Sequence, residues 1–204
     1  MSTELIFKPP VVERHPSVLG TATDQLREFL KAAGLSYVRA VFRQSYFVAP
    51  ASVRRKSVWY PGVVRYSNEH HGSLKKERRG RGEWHGAEVR VQKANHYAQY
   101  AWERYTGTVL ARGSGYGVRH IWGHPWDPAA FTAGWNLCYM PHWAGMSTED
   151  QHPDEVVQKA ICQASFDLFF RSNPVCEPPA YVVDPGFDLA ALLEGDPIRV
   201  LAAR

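Results

Sequence analysis

Arg119-His120-Ile121-Trp122-Gly123-His124-Pro125-Trp126-Asp127 and, after three intervening residues, Phe131-Thr132-Ala133-Gly134-Trp135-Asn136-Leu137-Cys138-Tyr139-Met140-Pro141-His142 make up the stretch that decides how the whole chain is read. Residues 118–122 are a short β-rich run that ends around a histidine, and Gly123 and Pro125 break it. A helical turn is predicted around 128–133, a second apolar run over 136–140 predicts another strand, and Pro141 can open a helical turn over 141–146. The layout is a His closing a strand, an irregular loop, an Asn opening the next strand, and then a helix. The spacing His120-x-x-x-His124 would suit a zinc site on a helix, but Gly123 and Pro125 argue against a helix there.

Working outward, residues 154–170 carry Val157, Ala160, Ile161, Ala164 and Leu168 at helical spacing and predict the clearest long helix. Upstream, Leu26, Phe29, Leu30 and Ala33 predict a helix over 23–33, with Thr23 or Asp24 as cap and Gly34 as stop. Residues 36–48 and 57–66, rich in Val, Tyr and Phe, predict strands, the second punctuated by Pro61-Gly62. Residues 68–86 are polar and Gly-rich and are expected to form a long loop. Val91, Ala94, Ala98, Ala101, Trp102 and Tyr105 fit a second helix over 87–105, and a short strand is expected at 108–111. Gly113 to Gly117 reads as a tight turn: no Lys-Ser/Thr follows and a strand comes next, which does not suit a nucleotide-binding loop. After a proline-rich segment, 187–193 makes one short amphipathic piece. The expected fold class is α+β, a small mixed domain. Its expected parts are an N-terminal α+β region (1–104), a central segment (105–172) and a Pro-rich acidic extension (173–204).

Composition narrows the function classes. With 204 residues, 45% hydrophobic and 22% charged, the chain has enough apolar material for a packed core. Its apolar runs are far shorter than the ~20 residues of a membrane span, and residues 1–10 lack the features of a signal peptide, so a cytoplasmic protein without a membrane partner is expected. Cys138, Cys162 and Cys176 are odd in number and widely spaced, which predicts buried free thiols. No G-x-S-x-G is present, which argues against an α/β-hydrolase. The net charge of +4 hides an asymmetry: residues 54–93 hold eleven Lys or Arg against four Glu, while residues 145–197 hold ten acids against two bases. Within the basic stretch, Lys75, Lys76, Arg78, Arg79 and Arg81 alternate with glycines, followed by Trp84 and His85. That composition suits a loop tracking phosphates, or alternatively a solvated surface loop with no partner.

The 119–142 stretch resembles the HNH class of the ββα-metal (His-Me finger) endonucleases, of restriction type. His120 matches the histidine that ends the first strand, and Asn136-Leu137, sixteen residues on, matches the Asn of the loop. The resemblance covers about residues 105–170 and implies a ββα-metal finger, a β-hairpin plus helix, in the C-terminal half. It implies a metal-dependent endonuclease that hydrolyses phosphodiester bonds in DNA, with a restriction or phage-defence role. His120 would be the general base, since a histidine with a pKa near ~6.5 is neutral at pH 7. Asn136 would either bind the metal through its carbonyl oxygen or orient the loop. His142 would be a further metal ligand, and Arg119 or Arg112 would hold the scissile phosphate. Mg²⁺ is the metal expected first and Mn²⁺ second. The chain departs from the family pattern at Arg119, where an Asp ligand is usual, and at Gly145, where a His or Asn ligand is usual. The paired C-x-x-C zinc knuckles are absent, so Trp122, Trp126, Trp135, Trp143 and the 154–170 helix are expected to brace the finger. A symmetric target would call for a homodimer. Two alternatives stay open: a nucleic-acid-binding module with a degenerate finger, and a nuclease acting on RNA.

Overall fold

Apolar patterns of period 3.6 and period 2 alternate along the chain, and so do helices and short strands. The computed structural model describes residues 22–65, 74–76, 80–111, 113–148 and 154–203. In order, its elements are α1 (Ala22–Ala32), α2 (Tyr37–Arg43), β1 (Tyr46–Val48), α3 (Pro50–Arg55), β2 (Val63–Arg65), β3 (Leu74–Lys76), β4 (Arg81–Trp84) and β5 (Ala87–Gln92). There follow α4 (His96–Thr106), β6 (Tyr116–His120), β7 (Leu137–Pro141), α5 (His142–Gly145), α6 (Glu155–Phe166), α7 (Leu189–Leu193) and β8 (Val200–Leu201). The architecture is mixed α+β, built on two four-stranded sheets ordered β6-β7-β1-β8 and β2-β5-β4-β3.

The first sheet is covered on both faces, which explains why β1 and β7 read as unbroken apolar runs. Along β7, Leu137 joins one core with Trp102, Tyr105, Val118, Phe131 and Trp135, while Cys138 and Met140 join the other with Phe42, Phe47, Val157 and Ile161. β7 pairs antiparallel with β6 from Tyr116↔Pro141 to His120↔Leu137, and antiparallel with β1, which pairs parallel with β8. This sheet therefore draws strands from residues 46–48, 116–141 and 200–201. Gly134 lies where a Cβ would stand 2.7 Å from the Val53 side chain and 3.0 Å from the Tyr105 ring, so only glycine fits this close approach.

α6 is capped by the Asp154 carboxylate, which accepts from the Val156 and Val157 amides at 2.9 and 3.1 Å. It continues as a π-turn over Asp167–Arg171. Gln163, fully buried on α6, donates to Asp167 and Asp184 and accepts from the Phe187 amide, tying down the proline-rich segment. The acidic C-terminal end meets α2, where Arg39 pairs with Glu194 and Asp196, and Arg43 with Asp196.

Four local expectations are corrected. Residues 36–48 are largely helix: Ser36 caps α2, and Val38, Val41 and Phe42 bury one helical face despite the β-branched content. Residues 87–105 split into β5, where Val89 and Val91 alternate inward, and α4, which ends at Gly107 with φ 67°. Within 68–86, β3 and β4 pair as an antiparallel hairpin, because Gly82 and Trp84 lie over the valines of β5. Residues 108–111 form no strand. The three cysteines are free, Cys138 and Cys162 buried and Cys176 half-buried. No helix among the described residues is long and apolar enough to cross a membrane.

Candidate active site at the β6–β7 loop

β6 and β7 part after the His120↔Leu137 pair, and the loop between them is closed at its neck by the Ile121 amide donating to the Asn136 carbonyl at 2.9 Å. Asn136 is fully buried and uses its whole amide on the loop. Its Oδ1 accepts from the Trp122 amide at 2.8 Å, and its Nδ2 donates to the Gly123 and Ala130 carbonyls at 3.0 and 3.1 Å. Of the two roles open to Asn136 in the sequence, this geometry corresponds to orienting the loop. The Asp127 carboxylate accepts from the Ala129 amide and from the Tyr181 hydroxyl, each at 2.8 Å. α6 braces the loop from outside. The Gln158 amide donates to the Ile121 carbonyl at 2.7 Å, and the Ser165 hydroxyl accepts from Trp122 Nε1 while donating to the Trp135 carbonyl.

His120 is half-buried against this frame. Its ring stacks on Phe131 with centroids 5.5 Å apart, and its Nε2 lies 2.9 Å from the Phe131 carbonyl oxygen. A carbonyl can only accept, so Nε2 carries the hydrogen and Nδ1 keeps its lone pair in the neutral ring. Burial pushes the His120 pKa down to about 4; the bond to Phe131 opposes this, and the charges of Arg65 and Arg119 add to it. The imidazole is therefore neutral across the physiological range.

Arg65 is the site residue that sequence patterns missed. It was counted in the basic stretch, but its place depends on β2 docking on the loop, where its amide donates to the Pro125 carbonyl at 2.7 Å. Its guanidinium donates to Asn95 Oδ1 at 3.3 Å. Arg119, beside His120 in sequence, lies along Gly145: a Cβ built there would meet its Nε at 2.5 Å and its Cζ at 3.0 Å. His142 sits elsewhere. Its ring lies over Gly117, with Cε1 3.1 Å from where a Cβ would be, and it lines a cleft of about 700 Å³ with His96, Glu103, Tyr116 and Tyr139. Gly117 is three residues before His120 on β6, about 10 Å along the strand. The structure thus brings Arg65 to the loop of His120 and Asn136, places Arg119 on the opposite face of the sheet from His120, against α5, and leaves His142 at the far end of the hairpin.

The Asn136 oxygen is already engaged, His142 is remote, and among the described residues no group of three or more His, Cys, Asp or Glu could hold a metal ion. His124 adopts φ 53° in the same loop, its ring stacked on Tyr181 with centroids 3.7 Å apart.

The cationic residues expected at a nucleic-acid surface divide unevenly. Arg81 is exposed on β4, directly opposite Arg90 on β5, and Lys75 and Lys76 lie on β3, paired with β4. Arg81 pairs with Glu88 at 3.2 Å and Arg90 donates to the Tyr97 hydroxyl at 2.9 Å. By register, Arg65, Arg81 and Arg90 share one face of the second sheet, whose β2 edge reaches the His120 loop. Arg78, Arg79 and Arg112 lie outside the described residues. No protein-family model, no curated protein and no solved structure matches this chain.

Proposed function

We propose that the chain is an HNH-type endonuclease acting on DNA, with the β6–loop–β7 hairpin and the helices that follow it as its finger and His120 as general base. The observation that carries this is the orientation of His120. One ring nitrogen is committed to the Phe131 carbonyl, inside a loop that Asn136 pins at three points, so the other is kept as a neutral proton acceptor. Phosphodiester hydrolysis needs that acceptor in a fixed place. His120 Nδ1 takes a proton from water, the water oxygen attacks phosphorus, and the bond to the leaving 3′ oxygen breaks with its electron pair on that oxygen. The face carrying Arg65, Arg81 and Arg90 supports a polyanion as substrate, since like charges directly opposite across strands otherwise repel. A palindromic target would be cut by two copies, and a restriction or phage-defence role accords with such an enzyme.

The test is cleavage of methylated and unmethylated plasmid and genomic DNA in Mg²⁺, Mn²⁺ and EDTA, with RNA and single strands in parallel, comparing wild type with His120→Ala. Cleavage lost in His120→Ala while binding persists is the expected result. Cleavage of RNA alone would move the substrate class, and cleavage unchanged by His120→Ala would remove the base from this loop. A non-catalytic binding module is the second reading, favoured by Arg119 and Gly145 standing where the family carries ligands. It requires binding without cleavage under every condition.

A further inference from the structure

Resting on the proposal that the substrate is a nucleic acid, we infer that the cleft between α4 and the β6–β7 hairpin is a stacking site for one unpaired base of the strand that passes His120. Tyr116, Val118 and His120 occupy alternate positions on β6 and so share one face of the first sheet, where Tyr139 stands opposite Val118. Tyr116, Val118 and Tyr139 line the cleft from the sheet, and His96, Gln99, Tyr100 and Glu103 line it from α4. Its volume of about 700 Å³ lies in the range of small-ligand sites and is ample for a nucleotide. The lining includes Glu103 and, among the described residues, no Lys or Arg, so it suits a base and not a phosphate.

The two sheet tyrosines are held by their far ends. The Tyr116 hydroxyl donates to the Gln44 side chain at 2.7 Å, and the Tyr139 hydroxyl lies 3.2 Å from that of Ser114. Their ring centroids are 5.1 Å apart with planes 34° from parallel, and Tyr139 in turn stands 5.7 Å from Trp102 at 32°. The rings form a fixed platform whose hydroxyls are already engaged, and a flat π-system is the ligand such a platform takes best. The α4 wall is polar. Glu103 accepts from the Leu110 amide at 3.0 Å, which fixes the rim, while no hydrogen bond or ion pair among the described residues engages the side chain of Gln99. Its amide offers both a donor and an acceptor, and stacking on one side with edge hydrogen bonds on the other is how an unpaired base is read. The cleft also joins the proposed active loop. Asn95, next to His96, accepts from Arg65 at 3.3 Å, and the Arg65 amide donates to the Pro125 carbonyl of the loop at 2.7 Å. Gly117 in the cleft wall is three residues from His120, about 10 Å, which is about three nucleotides of stacked strand and fewer of an extended one. One strand thus reaches His120 with a phosphate and the cleft with a nearby base.

The experiment measures, by fluorescence anisotropy in EDTA, the binding of labelled single-stranded DNA, intact or abasic throughout, to wild type, Tyr100→Ala and Tyr116→Leu at several salt concentrations, with thermal melting of each protein. Tyr100 is 51% exposed, so its removal spares the core. Expected are losses of about 10-fold per tyrosine for the intact strand and none for the abasic strand. The slope of log affinity against log salt should stay unchanged, since a tyrosine ring neutralises no phosphate. A strand carrying 5-iododeoxyuridine should photocrosslink to Tyr100, Tyr116 or Tyr139, as mapped by mass spectrometry. No loss in either variant, equal losses for intact and abasic strands, or crosslinks confined to the second sheet overturn the base site and leave the nuclease proposal standing. A free nucleoside monophosphate that competes as well as the strand does makes the cleft a mononucleotide site and overturns its place on the strand's path. Absence of wild-type binding to single-stranded DNA overturns the base site alone if duplex DNA is bound, and both proposals if it is not.

Discussion

Replacing Asn136 tests whether one buried amide holds the loop that carries the proposed base. The side chain is fully buried and makes three bonds, to the Trp122 amide and to the Gly123 and Ala130 carbonyls. Asn136→Ala leaves one donor and two acceptors without partners in a dry site, each costing about 1–3 kcal/mol. Allowing for partial relaxation and water entry, the expected loss is about 3–5 kcal/mol, a large share of the 5–15 kcal/mol typical of a domain. Asn136→Asp is the sharper variant. It keeps the shape and the acceptor toward Trp122 but turns an oxygen toward two carbonyl oxygens. At pH 7 it should therefore cost at least as much as the alanine. Urea unfolding followed by tryptophan fluorescence gives both differences, and hydrogen exchange at the Trp122 amide reports the local bond. Either variant within about 1 kcal/mol of wild type, or unchanged protection at Trp122, refutes the pinned loop.

Stability should depend on pH through His120, whose native pKa is about 4 against an ordinary 6.5. Between these values the unfolded chain binds the proton and the native state does not. Stability should therefore fall by up to about 3 kcal/mol as pH drops from 6.5 to 4, then cease to change from this source, and His120→Asn should lack that fall in urea titrations across the window. Asp184 and Asp196, held below the usual carboxylate range by hydrogen bonds, first those of the Gly186 amide and Arg43 respectively, lose their contribution at lower pH in both proteins, so the difference between the two isolates the histidine. Arg81→Ala and Arg90→Ala should each weaken DNA binding and reduce the slope of log affinity against log salt by about 0.9, measured by fluorescence anisotropy; an unchanged slope removes that arginine from the phosphate surface. Gln163→Leu leaves the Phe187 amide without its acceptor and should cost about 2–4 kcal/mol, with faster proteolysis in the segment around Asp184.

Several elements were legible from local pattern because one period dominated. The spacing of Val157, Ala160 and Ile161 foretold α6, and the apolar run beginning at Leu137 foretold β7. Where two periods coexisted, the sequence misled. Val38, Val41 and Phe42 satisfy a helix as well as a β-rich composition, and Val89-x-Val91 followed by alanines satisfies a strand and then a helix. The β3–β4 pairing was hidden because β4 alternates Gly82 and Trp84 with Arg81 and Glu83, a pattern that reads as polar loop. In the site, His120 and Asn136 stood out only through the resemblance to the HNH pattern. The Phe131 carbonyl could not, since any residue supplies one, and Arg65 reaches the loop only through the docking of β2 on Pro125.

A base with a pKa near 4 is a weak acceptor, and two neighbouring cations are part of the reason. The charge of Arg65 also makes the site attractive to a phosphodiester, and binding one changes the balance. A phosphate anion beside Arg65 offsets part of the charge that depresses His120, so the imidazole gains basicity when substrate arrives. The two pH profiles should then separate. The acid limb of kcat/KM, which reports the free protein, should fall near pH 4, while that of kcat, which reports the complex, should lie at higher pH. If the kcat limb lies at or below that of kcat/KM, the bound phosphate does not offset that charge, and Arg65 acts somewhere other than beside the base.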